Sequence, residues 1–114
     1  VTEIVLPFPA KDLWPNARPH WAAKARLAKK HRAWAYAATL AAKVPTPESR
    51  VNFIVTIHPR ATRKIDADNA IAALKSSFDG IADALGVNDN TFNAPVVLFG
   101  LPRPGGLVRI EVMP

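Results

Sequence analysis

Asp66 and Asp68, one residue apart in "KIDADN" (64–69), are the side chains best placed to do chemistry. Two carboxylates this close push each other's pKa upward. A hard divalent ion would relieve that repulsion, and Mg²⁺ takes one or two carboxylates with water and phosphate oxygens completing its shell. Mn²⁺ would serve the same acids. A third acid, Asp89, lies in "VNDNTF" (87–92), on a loop that returns after the helix. Two acids at a helix start and one from a later loop can converge on one ion. Lys75 lies about 20° from Asp68 around a straight helix and two turns on, at about 100° per residue. Side chains lean toward a helix N-terminus, so its amine is expected to point back at the aspartates. An ammonium there suits the charge that builds on a phosphate under attack.

Plainer readings stand beside these. An Asp at a helix start is usually an N-cap, which accounts for Asp66 or Asp68 but hardly both. Asp89, between Asn88 and Asn90, is on its own a turn residue. Lys75 with Asp79 is an ordinary i,i+4 pair. No loop glycine and twelfth-position glutamate follow, which argues against an EF-hand.

The charge is unevenly spread. Residues 1–64 hold twelve Lys/Arg against three acids, a balance of +9, whereas residues 65–114 hold three against six, a balance of −3. A basic half joined to a compact acidic patch suits a polyanion-binding surface beside a cation site. Lys24, Arg26, Lys29, Lys30 and Arg32 crowd the first long helix, interleaved with Trp21, His31 and Trp34. "PRATRK" (59–64) adds Arg60, Arg63 and Lys64. These are enough cations for several phosphate contacts, although such a face can be merely solvated and the tryptophans core anchors. His20, His31 and His58 lack metal-ligand spacing and read as structural or phosphate-contacting. With no cysteine, disulfides, thiolate chemistry and Cys-type zinc sites are excluded. No apolar run reaches membrane-span length and no signal peptide is visible, so a soluble intracellular protein is expected.

The elements that must hold these residues follow from periodicity. The 114 residues predict one domain. Strands are expected over 2–8, 50–58, 94–101 and 106–113, the last two joined through "PRPGG" as a hairpin. One helix is expected from His20 to about Lys43, and a second from about Asp68 to Leu85 with Ile71, Leu74, Phe78, Ile81 and Leu85 as its buried stripe. The order is β-α-β-α-β-β: a small α/β (α+β) domain with two helices and one mixed sheet of about four strands.

Taken together, "LPFP" (6–9), "PNARPHW" (15–21), "DADN" (66–69), "LKSSFDGI" (74–81) and "ALGVNDN" (84–90) resemble RusA-type Holliday junction resolvases, phage-derived endodeoxyribonucleases. The resemblance spans nearly the whole chain. It implies a Mg²⁺-dependent homodimer that cuts four-way DNA junctions, with Asp66, Asp68 and Asp89 as metal ligands and Lys75 as the catalytic lysine. It also implies that Asn16 and Arg18 lie in a DNA-contacting loop. In the best-known member the lysine follows the second aspartate by one helical turn, where this chain has Ala72. Asn88 and Asn90 stand where members often carry further acids.

The expected activity is a structure-selective endonuclease whose twofold dimer makes two symmetric nicks. Asn16, Arg18, His20, Lys24, Lys29, Lys30, Arg60, Arg63 and Lys64 would grip backbone phosphates. Two rivals remain: a nucleic-acid-binding module that keeps the fold and cleaves nothing, and a phosphatase for small esters, which would not need the basic half.

Overall fold

The alternating runs at both ends and in the middle of the chain enter one sheet. The computed structural model describes residues 2–62 and 64–113. Its elements are β1 (Thr2–Leu6), α1 (Trp21–Ala41), β2 (Asn52–His58), α2 (Ala67–Ala73), α3 (Lys75–Leu85), β3 (Val96–Phe99) and β4 (Leu107–Met113). Single 3-10 turns lie at Lys11–Leu13 and Asp89–Thr91. The described residues thus form a mixed four-stranded α+β domain, with three helices where the periodicity predicts two.

Strand order is β1-β4-β2-β3, with β4 antiparallel to both neighbours and β2 parallel to β3. The expected β3–β4 hairpin is therefore not formed. The connection crosses the end of β2, where Gly100 N–H bonds Ile57 O at 2.9 Å and Arg103 N–H bonds Pro59 O at 2.8 Å. Pro102 and Pro104 cannot donate to a ladder, so this segment suits a crossing loop better than a tight turn.

Alternate residues face the helices: Ile4 and Leu6 on β1, Phe53, Val55 and Ile57 on β2, Val108, Ile110 and Val112 on β4 are all buried. From the helices, Ala35, Ala70, Leu74, Ile81 and Leu85 complete the core, while Ile71 and Phe78 are only half-buried. α1 and α3 cross at Gly80, where an added Cβ would run into the Arg32 carbonyl and come within 3.0 Å of Ala35 Cβ. Backbone cannot step aside as a side chain can, so Gly80→Ala is expected to cost about 1–3 kcal/mol despite its better helix propensity. A urea titration checks this, the midpoint falling at constant slope. Next to that crossing, Arg32 forks onto Asp83, Nε to Oδ2 at 2.6 Å and Nη2 to Oδ1 at 2.9 Å.

His31 is the buried titratable group of α1. Its Nε2 accepts from Ala10 N–H at 3.4 Å, and its ring meets Trp34 edge-on at 5.0 Å. Burial, and secondarily the Lys30 charge, hold its pKa below the ordinary 6.5. Because the folded pKa is the depressed one, the unfolded chain takes up the proton first. Stability is then full above about pH 6.5 and declines as pH falls below it. Thermal melts between pH 7.5 and 5 are expected to show this decline, and His31→Gln to flatten it.

The second predicted helix is broken at Leu74, whose φ of −92° and ψ of 2° leave helical geometry. Its N–H still reaches the Ala70 and Ile71 carbonyls and its own carbonyl accepts from Phe78, so α2 and α3 follow one another with a bend. Gly86, at φ 69°, closes α3 in the left-handed conformation that glycine adopts without strain. Among the described residues no helix is long and apolar enough to cross a membrane.

Candidate functional site

The acids flank two successive helices. Asp66 is the N-cap of α2: its Oδ1 accepts from Asp68 N–H at 2.8 Å and Asn69 N–H at 3.2 Å. One carboxylate oxygen thus fixes the helix start. Asp68 follows in the first turn and is exposed. The two plain expectations for this pair divide between them: Asp66 caps, and Asp68 does not.

Lys75 opens α3 immediately after the bend. Its Nζ donates to Asp79 Oδ1 at 2.7 Å and to Asp89 Oδ2 at 2.8 Å. The predicted orientation of its amine toward Asp66 and Asp68 is therefore corrected, because the break at Leu74 ends the straight helix on which that reading rests. The hydrogen bonds that Lys75 donates to Asp79 first, then to Asp89, raise its pKa above the ordinary value. The Lys75 hydrogen bond in turn holds Asp89 below the usual carboxylate range. The ammonium and carboxylate are both fully charged at neutral pH.

Asp89 reaches this contact because its turn is sewn to the sheet. Asn88 caps the turn by accepting from Asn90 N–H at 3.0 Å. Val51 N–H bonds Thr91 O at 3.1 Å, and Asn93 N–H bonds Val51 O at 2.9 Å. Phe92 then packs edge-on against Phe53 at 4.7 Å, and Phe53 meets Phe78 of α3 at 5.3 Å. Three rings fix the distance between the turn and the helix.

Mg²⁺ needs few protein oxygens, usually one or two carboxylates, and Asp66 and Asp68 could offer that number. A site of three acids is not assembled: among the described residues no three His, Cys, Asp or Glu side chains gather closely enough to hold a metal ion. Asp89 is held by Lys75 instead.

The cationic residues fall into two groups. Lys24, Lys29 and Lys30 are exposed along α1, Lys30 lying 5.1 Å over the Trp34 ring. His20 caps this helix through Nδ1, accepting from Ala22 N–H at 3.2 Å, and its ring sits 5.6 Å from that of Trp21. Trp21 is 77% exposed, so it is a surface aromatic and no core anchor. Arg18 is exposed in the loop before α1. Asn16, Arg60, Lys64 and Asp66 share the wall of a cavity of about 380 Å³ beside the start of α2. Arg63 lies outside the described residues. His58 is structural, its Nδ1 lying 2.9 Å from Leu101 O in the β3–β4 connection.

Pattern reading of the sequence gives no role to the side chains of the cavity's other wall, Phe8, Lys11, Trp14 and Asn69. An aromatic in each of "LPFP" and "DLWP" is the only signal there, and prolines mark both stretches as loop.

The sequence matches no family model. It is 34% identical over 114 residues to a protein of Xylella fastidiosa (strain Temecula1 / ATCC 700964), described as "Uncharacterized protein". The alignment covers 96% of this chain and 74% of that protein. The chain belongs to the family of this Xylella protein. At that coverage nearly the whole domain falls inside the aligned span.

Proposed function

We propose that this protein is a Mg²⁺-dependent, structure-selective endodeoxyribonuclease of the Holliday junction resolvase type, nicking four-way DNA junctions in pairs. The observation that carries the reading is the Lys75–Asp89 contact at 2.8 Å. The fold brings together two residues, fourteen apart, that the resemblance to resolvases picks out: Lys75 at the start of α3 and Asp89 on the 3-10 turn that follows that helix. The Asp66 and Asp68 carboxylates would hold Mg²⁺, while Asp89 orients Lys75. Mn²⁺ would occupy the same ligands. When bound, such an ion would supply Lewis-acid charge to the phosphate and its nucleophile.

The chain's own residues do the rest. The N-cap bonds hold the Asp66 carboxylate in one orientation. Lys75, kept protonated by two acids, offers an ammonium to the charge that develops on an attacked phosphate. Exposed Lys24, Lys29 and Lys30, with Arg18 and Arg60, supply backbone contacts that recognise shape more than sequence. A twofold homodimer would place two such sites for symmetric cuts.

A second reading, a nucleic-acid-binding module without cleavage, is favoured by one observation: three acids do not gather at a common point among the described residues. An end-labelled four-way junction separates the two readings. Incubation with Mg²⁺ is expected to give paired nicks, and EDTA to give none. Salt-sensitive binding without any nicking would leave only the binding module.

A further inference from the structure

The geometry points to a use for the cavity beside Asp66: we propose that it takes one unstacked nucleotide of a DNA strand. This deepens the nuclease reading and rests on it for the presence of a strand. The cavity, about 380 Å³, lies between the loop after β1 and the loop before α2. That volume falls within the roughly 300–1,000 Å³ of small-ligand sites, enough for one nucleotide and too little for a duplex.

The chemistry of the wall matches the parts of a nucleotide. Phe8 and Trp14 form a stacked pair, with centroids 5.5 Å apart and planes 26° from parallel. The indole is fixed by a bond from its Nε1 to Pro9 O at 3.2 Å, and the phenyl ring is backed by Gly106, where a Cβ would come within 2.8 Å of it. A rigid aromatic wall of this kind stacks any base. The Arg60 guanidinium lies 5.4 Å over the Phe8 ring, and with Lys11 and Lys64 it puts three cations around a space holding one acid, Asp66. That excess suits a phosphate. Asn16 and Asn69 add amides that can both donate to and accept from a base edge.

Asp66 itself argues for a nucleotide within a strand over a free one. The carboxylate that caps α2 lines the same cavity. A base seated there would bring its neighbouring phosphodiester to the acids. Taking a base out of the stack costs least where strands already part, as at a junction.

The test is fluorescence anisotropy of a labelled single-stranded oligonucleotide in EDTA, where no cleavage can occur. Trp14→Ala and Arg60→Ala are each expected to weaken binding about 5–150-fold, the size of one base–aromatic contact. Trp14→Phe, which keeps a stacking ring, should restore most of it. Affinity of Trp14→Ala for a fully paired duplex should stay as in the wild type. Thermal melts identify any variant that fails to fold, and Arg60, being exposed, serves as the variant least bound up with folding. Wild-type affinity in Trp14→Ala, or an equal loss on duplex, would overturn the proposal. So would competition by free dAMP at concentrations near those of the oligonucleotide, which would assign the cavity to a free nucleotide. Nicking is scored separately: if junctions stay intact in Mg²⁺ while oligonucleotide binding still depends on Trp14, the nuclease reading fails and the cavity assignment stands.

Discussion

Lys75→Ala is expected to lower junction nicking about 10²–10³-fold in turnover while leaving junction affinity nearly unchanged. That is the size of losing one preorganised donor to a developing negative charge. The single ammonium at this position is aimed by two acids, at 2.7 and 2.8 Å, and a shorter side chain would leave Asp79 and Asp89 facing each other without a counter-ion. The Asp89 pKa, held down chiefly by the Lys75 hydrogen bond, should rise toward 3.8 in the variant. Carboxylate chemical shifts followed by NMR through acid pH would read that rise independently of activity. In the wild type the pair contributes above 3.8, where Asp89 is charged, and below 10.5, where Lys75 is protonated; it is lost as pH leaves that window at either end. Turnover unchanged in Lys75→Ala would remove the lysine from the chemistry.

Phe53→Ala should produce the largest loss of stability. Phe53 is 1% exposed near the start of β2, and its ring meets Phe78 and Phe92 edge-on. Removing a buried aromatic leaves both lost transfer energy and a cavity, together about 3–5 kcal/mol. Against a typical total of about 5–15 kcal/mol, this is enough to unfold a substantial fraction of a marginal domain. Its consequence reaches the site. Phe92 follows directly on the turn that carries Asp89, so a missing Phe53 ring removes the surface on which that turn rests. Denaturant melts would measure the first effect. Loss of the depressed Asp89 pKa at temperatures where the variant is still folded would measure the second. A stability change under 1 kcal/mol would mean that the three rings do not hold the turn.

Much of this arrangement was legible in the residues. Val51, Phe53, Val55 and Ile57 alternate with more exposed positions, and that alternation alone marks β2 as a strand with one buried face. The uninterrupted Ala/Lys/Arg run marks α1 equally well. What stayed hidden depends on contacts distant in sequence. Local signals cannot say that β4 inserts between β1 and β2, because pairing partners are chosen across the sheet by register and burial. The bend at Leu74 has no Pro or Gly to announce it. It decides where Lys75 points, so the lysine was legible as a candidate and its partners were not. Phe8 and Trp14 sit among prolines that mark loop, and only the fold shows them stacked on one another beside Asp66.

Asp68 is the acid of the site with no capping task, so its removal isolates chemistry from folding. The decisive measurement compares wild type and Asp68→Asn on one labelled four-way junction in Mg²⁺, with binding measured on the same DNA in EDTA. Paired nicks from the wild type, their loss in Asp68→Asn, and equal affinity from both proteins are the predicted result. Nicking that survives in Asp68→Asn, or an intact junction after incubation with a wild type that binds it, would contradict the account.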